Sequence, residues 1–361
     1  MIVAGKRFAI QKLKEKYLTS NNSIISLFKV FLCLIVIQIH FKPIVVNPVV
    51  LLFDFLSNLA VPCFMFLSFF LVDDKIYQPK SVAVKNRIWR LYIPVIFWNI
   101  FYFFVFSLLG AVSALPYKIS FSSFIKSVIT GCSENACLPG QLWFLTVQVL
   151  LVLTVTLVYR VIGSDKYQDL KILLLLLIVE VIATVGLHKT LLLSLPYEIK
   201  TLIGRYIECI PFALAGLLYK RNFYGQNKIK TVCLVVIIIV LSLISKKFIP
   251  CADGFDYNGV FLLFASSLMC IVVLSLPDLF RNKCKYIINY AGLCTMGVYA
   301  THLLVGRVIS DTFPNILSKK YAGILWPGTI WFDLILLITC ILLSALLKLV
   351  LDKVKFLRGV I

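Results

Sequence analysis

The sequence predicts an all-α polytopic membrane protein of about ten transmembrane helices with both termini cytoplasmic, and three observations carry that prediction. Of 361 residues, 61% are hydrophobic and only 14% charged, with a mean hydropathy of +0.97; a water-soluble core of this size does not need so apolar a balance. The apolar residues gather into ten runs, each near the ~20 residues that a helix needs to cross a bilayer. The basic residues then alternate between the connecting segments as the positive-inside rule requires. The net charge of +20 sits in short clusters between apolar runs, which reads as orientation in a bilayer and argues against a nucleic-acid partner.

Residues 1–23 carry Lys6, Arg7, Lys12, Lys14 and Lys16 without an apolar core or a small-residue cleavage site, so they read as a cytoplasmic basic segment and not as a cleavable signal peptide. The membrane module follows over 24–347. Its spans are expected at 24–46, 55–72, 91–110, 141–159, 171–187, 201–219, 231–247, 259–276, 287–305 and 326–347, with a longer polar segment at 111–140. Residues 348–361 form a cytoplasmic basic tail. On this segmentation 24 of the 36 Lys and Arg fall in inside segments, 10 in outside segments, and Lys29 and Arg205 within spans. Such a split places the N- and C-termini on the cytoplasmic side.

The first span contains FKVFLCLIVIQIHF, Phe28 to Phe41. Eleven residues separate Lys29 from His40, which at 100° per residue returns them to within about 20° of one helix face, roughly 16 Å apart. Ionisable groups within membrane helices are costly and face a cavity by default. The plainer alternatives are a snorkelling Lys29 and a His40 that only caps an outer end.

A second cluster, Lys85 to Asn99, reads KNRIWRLYIPVIFWN. Arg87 and Arg90 stand three apart, share a helix face and can present two guanidinium forks to one phosphate; ordinary cytoplasmic anchoring beside Trp89 is the alternative. Pro94 would loosen the third span at this level. In the sixth span Arg205 and Glu208 can pair at i,i+3, as a structural pair or as an acceptor contact. Glu180 in the fifth span is either a protonated buried carboxyl or part of a polar cavity. His188 falls in a short outside loop.

Cys33, Cys63, Cys209, Cys233, Cys270, Cys294 and Cys340 fall within spans and read as small apolar fillers, whereas Cys132, Cys137 and Cys251 fall in outside loops where a disulfide is permitted. No cysteine spacing suits zinc, and no Gly-rich phosphate loop or GxSxG elbow occurs.

Taken together, these residues resemble the acyltransferase-3 family of integral membrane O-acyltransferases nearly end to end. The family's first-span basic residue, ten residues, then histidine is matched by Lys29 and His40, and its second-span VP-x-F-F-x-x-S-G by Val61 to Ser68, with Phe69 where glycine is usual. R-x-x-R before I-P is matched by Arg87, Arg90, Ile93 and Pro94. The fourth-span LWFL appears as Leu142 to Leu145, P-F-x-x-x-G as Pro211 to Gly216, and a late Y-x-x-H as Tyr299 to His302. Two departures stand out: Lys29 replaces the usual arginine, and Gln141 stands where a histidine often precedes LWFL.

The resemblance implies transfer of an acyl group, usually acetyl, from cytoplasmic acyl-CoA to a hydroxyl of a cell-surface or lipid-linked glycan, in a bacterial cytoplasmic membrane. His40 is then the catalytic residue. Lys29, Arg87, Arg90, Trp143, Arg205, Glu208 and His302 are the substrate-binding residues. The donor's phosphates are expected near the arginines and Lys29, with its pantetheine arm reaching towards His40. Membrane lipids are further partners; no metal, bound cofactor or nucleic acid is expected. A transporter or flippase for a glycan or lipid is the competing class, although no internal repeat is visible; a receptor or structural role leaves the Lys29 and His40 spacing unexplained.

Overall fold

The structure, a computed structural model, describes residues 23–41, 48–72, 82–112, 119–135, 137–162, 167–185, 192, 194–224, 232–233, 235–241, 259–278, 280, 282–316 and 329–354. The basic N-terminal segment, His188, Cys251 and the end of the basic tail lie outside these residues. Among the described residues every regular element is a helix and none is a strand. The helices are α1 (Ser23–His40), α2 (Pro48–Phe70), α3 (Val82–Val112), α4 (Phe121–Thr130), α5 (Trp143–Ile162), α6 (Gln168–Val185), α7 (Tyr197–Asn222), α8 (Val260–Ser275), α9 (Asn282–Leu293), α10 (Thr295–Ile316) and α11 (Ile330–Leu351). A 3-10 turn, Gly140–Leu142, leads into α5.

Helix lies over each of the ten expected segments, with residues 235–241 standing for the seventh. Among the described residues five stretches, Ser23–His40, Val82–Leu108, Gly140–Ile162, Tyr197–Asn222 and Ile330–Leu351, are long and apolar enough to cross a membrane; there are six if the bent pair Lys283–Leu293 and Thr295–Ile309 is one span. Leu56–Phe70 and Val260–Ser275 are shorter apolar helices. The chain is therefore an all-helical integral membrane protein, the architecture hydrocarbon imposes because helices satisfy their backbone polar groups internally. Pro62, Pro94 and Pro211 lie inside helices, which membrane helices tolerate where neighbouring helices or side chains re-satisfy a freed carbonyl.

Four boundaries differ from the sequence reading. Helix α3 starts at Val82 and not at 91, so Arg87 and Arg90 ride on helix. The polar segment at 111–140 holds α4, capped by the Ser120 hydroxyl, which accepts from the Ser123 N–H, and closed by Gly131 at φ 69°. The ninth span is broken: α9 and α10 meet at 60° around Cys294. There the Cys294 N–H is shared between the Tyr290 and Ala291 carbonyls, and the Thr295 hydroxyl donates to Gly292 O at 2.9 Å, which competes with the regular ladder. Lastly, α10 continues to Ile316, beyond the expected end at 305, and so carries Arg307 on helix.

The described chain forms two compact units. In the first, α1 packs against α9, α10 and α11, and α10 against α11. Gly292 lets α9 approach α1, since a Cβ there would lie 2.6 Å from the Ser26 Cβ. Lys285 pairs with Asp278 at 2.6 Å, and the Ser23 hydroxyl donates to the same carboxylate. In the second unit, α5 packs against α3 and α7, and α6 against α7. Arg221 ties the end of α7 to both partners, donating to Tyr159 Oη at 2.7 Å and Gln168 Oε1 at 2.9 Å and pairing with Asp169 at 3.3 Å. Gly216 admits the Phe66 carbonyl oxygen into space that a Cβ would occupy.

Helix α4 reverses the usual amphipathic arrangement. Its Ser127 is wholly buried and donates to Asn99 Oδ1 at 2.6 Å, while Asn99 Nδ2 donates back to Ser127 O at 3.2 Å. Phe121, Ile125 and Ile129, one face at four-residue spacing, are 71%, 39% and 59% exposed.

Candidate active site

His40 is the last residue of α1 and is exposed. Its ring centroid lies 5.1 Å from that of His302, tilted 41°. His302, on α10, is 0% exposed. Its Nδ1 lies 3.2 Å from the Val298 carbonyl oxygen, and because a carbonyl only accepts, Nδ1 carries the hydrogen and the lone pair resides on Nε2. The Tyr299 ring packs at 5.9 Å on the same imidazole.

The turn after α1 is held from both sides. The Phe41 ring packs at 5.2 Å, tilted by 60°, against Phe332 of α11, and its tip fills the space left by the missing side chain of Gly306 on α10. The charge of Arg307 also acts on His40. Sequence reasoning passed over Arg307 by placing it in a loop; its helical position follows only once α10 is seen to continue past 305. Asp333, in the first turn of α11, is 2% exposed and was likewise not singled out.

Lys29 lies in the first half of α1 and is half-buried. The stripe linking it to His40 passes through Cys33 and Val36, which are 1% and 3% exposed, with the Cys33 thiol 3.7 Å from Thr295 O. That face of α1 is thus buried at Cys33 and Val36.

The other expected residues belong to the second unit. Arg87 is half-buried, and its Nη2 donates to Ser68 Oγ at 2.8 Å and Ser68 O at 3.3 Å; Ser68 in turn donates to Gln148 Oε1 at 3.1 Å. Arg90 is exposed. Ser68 and Gln148 were not read as site residues, although Ser68 sat within a quoted motif. Arg205 and Glu208 pair at 3.0 Å, with the carboxylate buried at 3% exposure, and the same guanidinium lies 5.7 Å over the Trp143 ring. The structure therefore brings Trp143, Arg205 and Glu208 together. Gln141 is buried 3.4 Å from Tyr102 Oη.

Glu180 is buried and accepts from the Thr184 hydroxyl at 3.2 Å. Cys132 and Cys137 are buried and are not joined in a disulfide; burial pushes the Cys132 thiol up to about 12, which leaves it protonated and a poor nucleophile. Cys33, Cys63, Cys209, Cys270, Cys294 and Cys340 are buried, as fillers should be, whereas Cys233 is exposed on its helix. Among the described residues no cluster of His, Cys, Asp or Glu suits a metal ion.

A family model described as an acyltransferase domain matches residues 22–349, nearly the whole chain. No curated protein and no solved structure matches it.

Proposed function

We propose, for a chain that belongs to the acyltransferase-3 family and is thereby a membrane acyltransferase, that it moves an acetyl group from cytoplasmic acetyl-CoA to a hydroxyl of a cell-surface or lipid-linked glycan. One observation carries the reading: an exposed imidazole, His40, ends a membrane helix against a second, wholly buried imidazole, His302. An imidazole is the side chain best matched to proton transfer near neutral pH.

In the proposed reaction one ring nitrogen of His40 accepts the proton of the acceptor hydroxyl as its oxygen attacks the thioester carbonyl. The tetrahedral intermediate collapses with cleavage of the C–S bond, and the departing thiolate takes the proton back from the imidazolium. Arg87 and Arg90 bind the phosphates of coenzyme A; Ser68 holds one fork in place while Arg90 stays free to extend. Lys29 adds cationic character. Trp143, Arg205 and Glu208 offer an aromatic face and a buried ion pair, chemistry suited to a saccharide. The module has ten spans with both termini cytoplasmic, in a bacterial cytoplasmic membrane.

The test is acetyl transfer by purified protein in nanodiscs, with radiolabelled acetyl-CoA and a glycan fraction from cells lacking the protein. Label appearing in saccharide supports the reading, and donor left unconsumed overturns it. Arg87→Ala and Arg90→Ala should each raise the donor KM, since a charge-assisted contact to phosphate is worth roughly 1.5–3 kcal/mol; unchanged donor kinetics in both folded variants would reduce the arginines to topology signals. A reporter fused to either terminus should be cytoplasmic and one inserted at residue 115 external, and an external C-terminus would remove the ten-span arrangement.

A further inference from the structure

The resemblance groups His302 with residues that touch substrate, but a side chain at 0% exposure has no surface to offer one. We propose instead that His302 is a positioning residue: its Nε2 accepts the N–H of His40 and so holds His40 in the tautomer whose other nitrogen is bare and turned to the acceptor hydroxyl. This rests on the reading of His40 as general base given above.

Three observations carry it. The Nδ1–H of His302 is spent on the Val298 carbonyl at 3.2 Å, which leaves Nε2 as the acceptor. That Nε2 is buried and has no hydrogen-bond partner, a costly state for a polar atom unless it is used. The neighbour it can use is His40, whose ring is 5.1 Å away centroid to centroid, close enough for the ring edges to meet after a small rotation; such catalytic hydrogen bonds are often long in the unliganded enzyme and tighten in the substrate complex. The surroundings restrict that rotation to His40: His302 is fixed by Val298 and Tyr299, whereas His40 is the exposed last residue of its helix, tethered beyond by Phe41 between Gly306 and Phe332. A buried group that orients a base through one ring nitrogen while the other does the chemistry is the logic of hydrolase triads, here with imidazole in the carboxylate's place.

The experiment uses the full chain in nanodiscs and the radiolabelled acetyl-CoA assay, with His302→Phe, His302→Gln, His40→Gln and the double variant His40→Gln/His302→Phe. His302→Phe keeps the volume but removes the acceptor, and should lower kcat about 10²-fold with donor KM unchanged, the loss expected when a reacting group is misplaced by about 1 Å. His302→Gln places a carbonyl oxygen near the Nε2 position and should recover most of that loss. The double variant should be no slower than His40→Gln alone, because His302 acts only through His40. A folded His302→Phe enzyme with wild-type kcat, or a double variant whose loss is the product of the single losses, overturns the proposal while leaving His40 as the base. Full activity in His40→Gln would instead sink the underlying reading. Should His302→Phe fail to fold, nitrogen-15 NMR of the wild type decides: the chain has 3 histidines, so single substitutions assign each signal, and His302 protonated on Nε2 overturns the proposal.

Discussion

His40→Gln should abolish acetyl transfer, with a fall of ~10²–10⁴ in rate, while donor binding stays near that of the wild type. Glutamine preserves approximate size and hydrogen bonding but takes up no proton at neutral pH, so the loss isolates general-base chemistry, which contributes factors of this size. His40→Ala should fail equally, since a missing proton acceptor raises the barrier and leaves ground-state binding largely alone. The exposed position of His40 at the end of α1 keeps packing losses small. Titrating acetyl-CoA against each variant by calorimetry, alongside the radiolabel assay, separates the two effects. A transporter would behave otherwise: substrate would still cross the membrane in His40→Gln, and purified protein would consume no acetyl-CoA.

Gly216→Ala should be the most damaging conservative change to the fold. The added methyl would overlap the Phe66 carbonyl oxygen and lie 3.0 Å from the carbonyl carbon, and a backbone group inside a helix cannot swing aside as a side chain does. Overpacking typically costs 1–3 kcal/mol and sometimes more, and here the opposing atom is held by its own helix. Thermal unfolding of the purified variant, followed by tryptophan fluorescence, should show a Tm lowered by several degrees together with poor yield. Gly306→Ala is the control, because its methyl meets only the tip of the Phe41 ring, which can rotate. A Gly216→Ala protein as stable as the wild type would mean that α2 and α7 separate without cost.

The parts of the protein legible in its sequence are those governed by composition and local periodicity. Apolar runs mark helices because hydrocarbon leaves the backbone no other choice, and the Arg205 to Glu208 pair followed from i,i+3 geometry and is found at 3.0 Å. What stayed hidden depends on tertiary contact. The break at Cys294 arises where Gly292 meets Ser26 and Thr295 meets a carbonyl, and no apolar count reports such a competition. The engagement of Arg87 by Ser68 joins residues that a basic loop separates. His40 and His302, on helices at opposite ends of the chain, were linked beforehand only through a family resemblance, and even that did not indicate that one of them is wholly buried.

Helix α4 has a consequence for handling the protein outside its membrane. Its Ser127 is spent on an inward hydrogen bond to Asn99, while Phe121, Ile125 and Ile129 stay on its exposed surface, and fully covering such side chains is worth roughly 1.5–3 kcal/mol each. The helix is thus a surfactant-dependent element. A micelle too small or too short-chained to wet that ridge exposes it to water, and chains then gain by covering their ridges with one another. Clumping during extraction would start here.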